Sequence, residues 1–341
     1  METAVQTPTK SKSVDKPVSF DFAIDFDRMK TIFYPMMTER FGNDVEIKSI
    51  DVDVLRSRAK RCVLLYKINA ISPTQSKEVQ WRVIGKAYRA ESGQKGFDNM
   101  MQLWKNGFSR DVKDGLGMPE PLVFIPKIQM LFQEEVPGEA LRVLVKTTPK
   151  KEYFAQLARS LVKLHTCNIK PKRTFTVRNH LLRCHPKYPF LSMACPELES
   201  KIDYIVNRAF EIEKSFNGIQ LTPFHGDFHL GQAHVLNDDI WLIDFDTLSY
   251  GDPAADVGNI LVFFKGKLRR HPEYQGYIDT FLDTYFSAMD PKIAERVPLY
   301  EALTHLRRSC KRLRSQDNNW RQVATEMIEK SVEAINSIKF N

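Results

Sequence analysis

The feature that most constrains this chain is the stretch His225-Gly226-Asp227-Phe228-His229-Leu230-Gly231-Gln232, followed by Leu242-Ile243-Asp244-Phe245-Asp246. Between the two acids lie short apolar segments at 234–236 and 240–243, joined by Asn237-Asp238-Asp239, which predicts a β-hairpin. Closing that hairpin brings Asp244 back toward Asp227, seventeen positions earlier (244 − 227). A carboxylate set beside a hydroxyl aligns it and accepts its proton late in a transfer, an effect typically of about 10²–10⁴-fold. A second acid suits a divalent cation on nucleotide phosphates. Gln232 adds a neutral amide oxygen, a hard ligand for Mg²⁺ beside a carboxylate. A lone Asp in a turn is most often a cap. The base-and-metal layout met at several positions together points instead to phosphoryl transfer.

The rest of the sequence bounds the setting. At 341 residues the chain is long enough for one large domain or for two lobes. Hydrophobic residues at 43% and charged residues at 27% are ordinary globular usage. No apolar run reaches the roughly 18 residues of a membrane span, so no membrane association is expected. Residues 1–18 are rich in Thr, Ser, Lys and Pro without an apolar core, which predicts a flexible tail rather than a secretory signal. The five cysteines form no C-x-x-C pair, against a disulfide framework or a zinc site, and a reducing, cytoplasmic setting is expected. The formal charge of +8 and pI of about 9.1 favour anionic partners. ATP and nucleic acid both satisfy that, but no nucleic-acid-binding motif is recognisable.

Periodicity gives the organisation. Residues 25–41 read as a helix with Met29, Ile32, Phe33, Met36 and Met37 on one face and Pro35 as a possible kink. Residues 45–54, 61–70 and 79–88 alternate as half-buried strands, and 93–107 reads as a helix. Strands at 122–125 and 128–132 precede Pro137-Gly138. Thereafter the chain turns mostly helical, with candidates at 152–165 and 197–216. The expected architecture is α+β, with a small antiparallel-sheet lobe at 19–135 and a larger helical lobe at 136–341.

The motif resembles the phosphotransferase branch of the protein-kinase-like superfamily, the aminoglycoside phosphotransferase and choline kinase group. That family's signature is H-G-D-x-x-x-x-N, then I-D-[FW]-[DE]. Here it is matched by His225 to Gln232 and by Ile243-Asp244-Phe245-Asp246, and Gly251-Asp252-Pro253-Ala254-Ala255-Asp256 matches the further G-D-P-x-x-D. The resemblance implies a protein-kinase-like bilobal fold with a nucleotide-binding N-lobe and a catalytic, acceptor-binding C-lobe. It makes Asp227 the catalytic aspartate and Asp244 the main metal ligand, with Asp256 bonding the catalytic loop and His225 bracing it. One departure stands out: the family's metal-binding Asn is Gln232 here, one methylene longer. Lys86 resembles the strand lysine that reaches the α- and β-phosphates. Its acidic partner is Asp98, with Glu91 as the rival. The phosphate-covering turn is 56–61, with Ser57 as a contact, and it lacks the kinase glycine pattern. Phe132 to Gly138 resembles the family's hinge, which would set the Glu134 carbonyl and the Val136 N–H against the adenine edge. His229 is read as structural. Arg307, Arg308, Lys311, Arg312 and Arg314 form a basic helix face, either a solvated surface or a docking face for an anionic acceptor.

The stretch from Asp244 to Asp256 leaves no room for a long activation segment, no A-P-E follows, and Gly226 stands where regulated kinases carry Arg. Both points favour a small acceptor over a protein. The expected activity is ATP-dependent, Mg²⁺-assisted phosphoryl transfer to a hydroxyl of a small molecule of aminoglycoside, sugar or amino-alcohol type. The alternative is a nucleotide-binding pseudokinase scaffold, raised by Gln232 and by the missing helix Glu.

Overall fold

A computed structural model describes residues 20–58, 61–72, 74, 77–88, 92–216, 218–268 and 270–339. The expected tail at 1–18 and the rival acid Glu91 lie outside them, as do Ala59 and Lys60 of the phosphate-covering turn. Contacts divide the chain into two compact units. One runs to Met101 and takes in Glu120–Glu135; the other comprises Gln102–Pro119 and Val136–Asn341. The boundary drawn from the sequence therefore differs in one segment, because Gln102–Pro119 packs with the second unit.

In the first unit, strands Glu46–Arg58, Arg61–Ser72, Lys77–Tyr88, Met130–Glu134 and Pro121–Ile125 form, in that spatial order, one wholly antiparallel sheet. Helix Phe26–Phe41 starts where Asp25 accepts a bond from the Arg28 N–H at 2.9 Å, and it runs unbroken through Pro35. Met29, Phe33 and Met37, four residues apart, are fully buried in the sheet's core cluster, each contributing about 1.5–3 kcal/mol of burial. Phe33 meets the rings of Tyr66, Trp81 and Phe132 edge-on at 5.1, 6.3 and 5.4 Å. The helix expected at 93–107 ends sooner, as Ser92–Leu103. It unwinds through a wide turn, Trp104–Phe108, because Gly107 takes a left-handed φ of 94°.

The second unit is mainly helical. Helix Lys151–Thr166 buries Phe154, Leu157, Leu161 and Leu164 and packs on Tyr274–Phe286. The hairpin Ala233–Leu236 and Asp239–Leu242 turns at Asn237 and Asp238, both with positive φ (49° and 71°), as its tight reversal requires. Leu116–Gly117 and Glu139–Ala140 flank it in a four-stranded sheet. Helices Ala254–Leu268 and Ile293–Ser315 approach closely at Gly258. A Cβ there would sit 2.9 Å from the Glu301 N and the Val297 carbonyl. Among the described residues, no helix is long and apolar enough to cross a membrane.

Candidate active site

The loop after strand Thr222–Phe224 carries His225, Gly226 and Asp227 and is fixed from beneath by Asp256. The fully buried Asp256 carboxylate accepts the N–H of His225 at 2.6 Å and that of Gly226 at 2.8 Å. The His165 Nε2 approaches it at 3.3 Å, and the Tyr285 hydroxyl meets the His165 Nδ1 at 2.7 Å. Asp256 lies in the first turn of its helix, where a negative charge also complements the helix dipole. His225 donates its Nε2–H to the Ile243 carbonyl at 2.9 Å, and the Thr247 hydroxyl donates to the His225 carbonyl at 2.7 Å. These bonds stitch the loop bearing Asp227 to the segment bearing Asp244. Gly226 takes a φ of 79°, and a Cβ on it would meet the Thr247 carbonyl at 2.8 Å, so both conformation and space require glycine.

Asp227 is held by two cations. Arg307 Nη1 lies 3.2 Å and Arg183 Nη2 3.6 Å from the same oxygen, Oδ1. Arg183 also donates to the Gly226 carbonyl, and Arg307 Nη2 donates to the Asn259 Oδ1 at 2.6 Å. Asn259 in turn donates to the Phe228 carbonyl at 2.7 Å. Burial pushes the Asp227 carboxyl up, but Arg307 and Arg183 more than offset it, so its pKa falls below the ordinary carboxylate value. Among the described residues both cations meet Oδ1. His229 accepts the Gly231 N–H at 2.9 Å, and burial lowers its pKa, which keeps it neutral.

Asp244 sits just past the hairpin in a left-handed backbone, φ 65° and ψ 56°, which Asp tolerates better than most residues. The Gln232 amide lies 3.5 Å from the Asp244 Oδ2, and the Ile243 N–H donates to the Gln232 carbonyl at 2.9 Å, fixing the two side by side. With its NH₂ turned away, Gln232 presents an oxygen at the same place. One amide oxygen beside a carboxylate fits a Mg²⁺ that draws its other ligands from water and phosphates. Among the described residues no group of three His, Cys, Asp or Glu is placed to hold a metal by itself.

In the first unit Lys86 lies on strand Lys77–Tyr88, opposite Val63 and Leu131, and is buried. Asp98 is exposed and accepts a bond from Gln94 on its own helix at 2.8 Å. Ser57 is exposed at the end of its strand, opposite Cys62. The Glu134 carboxylate is occupied by Trp81 Nε1 at 2.7 Å and Arg40 at 2.9 Å, and its N–H donates to the Glu120 carbonyl at 2.9 Å. Val136 opens the second unit.

Sequence reasoning missed Arg183 and Asn259 and did not connect Arg307 with Asp227. The basic face at 307–314 is not uniformly solvated. Arg307 binds Asp227 and Asn259, and the Arg308 guanidinium lies 4.4 Å over the Phe263 ring, with burial pulling its pKa down to about 10. Their neighbours Arg312 and Asp317 form a surface pair at 3.3 Å.

Comparison with solved structures gives the fold. A choline/ethanolamine kinase family protein from Mesorhizobium loti is 15% identical with a TM-score of 0.61, covering 91% of this chain and 97% of that one. A choline kinase from Cryptosporidium parvum is 14% identical with a TM-score of 0.58, covering 90% and 95%. A thermostable mutant of an aminoglycoside phosphotransferase, solved with AMP-PNP and hygromycin B, is 14% identical with a TM-score of 0.58, covering 88% and 98%. No match was found among curated protein sequences. The architecture is thus the protein-kinase-like α+β fold of these phosphotransferases. The model of the phosphotransferase enzyme family matches residues 99–295, more than half of the chain, including every residue of the loops around Asp227 and Asp244. The chain belongs to the phosphotransferase enzyme family, and it is a small-molecule kinase.

Proposed function

We propose that the protein transfers a phosphoryl group from ATP, with Mg²⁺, to a hydroxyl of a small molecule, and that Asp227 is its catalytic base. The observation that carries this reading is the pinning of Asp227. Oδ1 is held by two arginines and the loop beneath is fixed by Asp256; in this reading Oδ2 receives the acceptor hydroxyl. A carboxylate so held is a weak base, which suits a transition state in which the proton moves late and positioning matters most. Asp227 orients the acceptor hydroxyl and takes its proton as the oxygen–phosphorus bond forms. Gln232 and Asp244 would hold the metal, which when bound neutralises charge on the phosphates. Buried Lys86 supplies a positive charge for the nucleotide phosphates. The backbones of Glu134 and Val136 serve the adenine edge, and Ser57 serves the phosphate-covering turn. Asp98 is the acid assigned to Lys86 in this reading. Nothing in the site favours the pseudokinase alternative, since the base, metal and lysine positions are all occupied by competent residues.

The test is ADP formation by the purified chain with MgATP over a panel of anionic, neutral and cationic hydroxyl compounds, with the phosphorylated product identified by mass. Turnover on at least one member is expected. ATP binding without ADP formation on any of them contradicts the proposal.

A further inference from the structure

The surroundings of Asp227 also bear on what kind of molecule brings the hydroxyl. Arg183 and Arg307 meet on one carboxylate oxygen, so two positive charges face a single negative one. Of the other carboxylates, Asp256 is fully buried and already uses both oxygens on the amides of His225 and Gly226, and Asp244 lies beside Gln232, where it would hold the metal. More cations act on the same neighbourhood. Arg173 acts on Arg183, and Lys187 joins Arg307 and Arg183 around the thiol of Cys184. Burial and the mutual repulsion of these groups pull the Arg183 pKa down to about 10, and an added negative charge would relieve that repulsion. The two arginine side chains nevertheless keep 17% and 22% of their exposure, so a ligand can reach them.

We propose that the acceptor is anionic, a hydroxyl compound bearing a carboxylate or phosphate that Arg183 and Arg307 bind while its hydroxyl faces Asp227. This rests on the phosphotransfer reading above; among small hydroxyl-bearing acceptors it selects those with a negative charge, and it takes up the reading of the basic face at 307–314 as a docking face for an anionic acceptor. A cationic acceptor would bring its charge against two guanidinium groups at the point where the hydroxyl must dock. An anionic one brings a charge of opposite sign to the two guanidinium groups, which favour carboxylate and phosphate oxygens as partners.

The test uses a near-isosteric pair, glycerate against glyceramide, and a second set that varies the charged group on one backbone, glycerol phosphate against glycerol and aminopropanediol. To these is added the acceptor found in the panel above, paired with its uncharged counterpart. The readout is the ratio of kcat/KM for the anionic over the neutral member. The native ratio is expected to be about tenfold or more, the scale of one well-placed charge pair near a protein surface. Arg183→Gln and Arg307→Gln should bring it toward unity, and Arg307→Lys should restore part of it. A purely positioning role for the arginines would lower kcat equally on both members and leave the ratio unchanged, which overturns the inference. A native preference for the neutral or cationic member also overturns it and leaves phosphotransfer standing. Failure to form ADP with any acceptor instead removes the phosphotransfer reading, and this inference with it.

Discussion

Replacing Asp256 by Asn tests whether the loop bearing Asp227 is held from beneath. The native carboxylate accepts two backbone N–H bonds, at 2.6 and 2.8 Å, in a site with no solvent exposure. Charge-assisted bonds of this kind contribute about 1.5–3 kcal/mol each. Asn keeps one acceptor oxygen and turns an NH₂ toward the other amide, so one bond is lost and the remaining one becomes neutral. The sum is about 2–4 kcal/mol, a sizeable part of the 5–15 kcal/mol that typically separates folded from unfolded states. For a unit of this size that corresponds to a Tm lower by on the order of 5–10 °C. The loop should also loosen, so kcat should fall while the affinity for nucleotide changes little. Differential scanning calorimetry and steady-state ADP formation on one preparation read both effects. A variant with native Tm and native kcat would refute the claim that Asp256 organises the loop.

Other perturbations follow from the same geometry. Gly226→Ala forces a Cβ to within 2.8 Å of the Thr247 carbonyl at a left-handed φ, so kcat should drop and stability fall by about 1–3 kcal/mol; a native-like urea midpoint would contradict this. Gly258→Ala drives apart the helices that bring Asn259 to Arg307, so Tm should fall, and an unchanged melting curve would argue against that close approach. In the pH profile of kcat, activity is lost as pH falls through the Asp227 pKa, which lies below the ordinary carboxylate value; Arg307→Gln removes the largest lowering influence and leaves Arg183 to oppose burial, so the acid limb should move to higher pH. Asp244→Ala should raise the Mg²⁺ concentration needed for half-maximal activity, and titration of Mg²⁺ at fixed ATP measures it.

What the sequence disclosed and what it concealed divide along physical lines. The helix Lys151–Thr166 and the long antiparallel strands were legible because a periodic apolar face runs over many residues. The hairpin between Asp227 and Asp244 was legible because its turn residues carry the chemistry of positive φ. Leu116–Gly117 and Glu139–Ala140 are too short to show any period, and they exist only through pairing with that hairpin. The early end of the helix at Leu103 was hidden because Gly107 lies where either a cap or an interior glycine is possible. Arg183 and Arg307 could not be assigned to Asp227, since they lie 44 and 80 positions away (227 − 183 and 307 − 227) and look like surface cations. Asp98 was chosen by its place on a helix, but the exposure of that face becomes visible only once the helix is packed.

The central claim, that Asp227 is the group that takes the acceptor proton, is tested most directly by Asp227→Asn. Parallel measurements of kcat for ADP formation and of AMP-PNP affinity by calorimetry separate chemistry from binding. The account predicts a kcat lower by about 10²–10⁴-fold with nucleotide binding retained. An Asn variant that turns over at close to the native rate would contradict it.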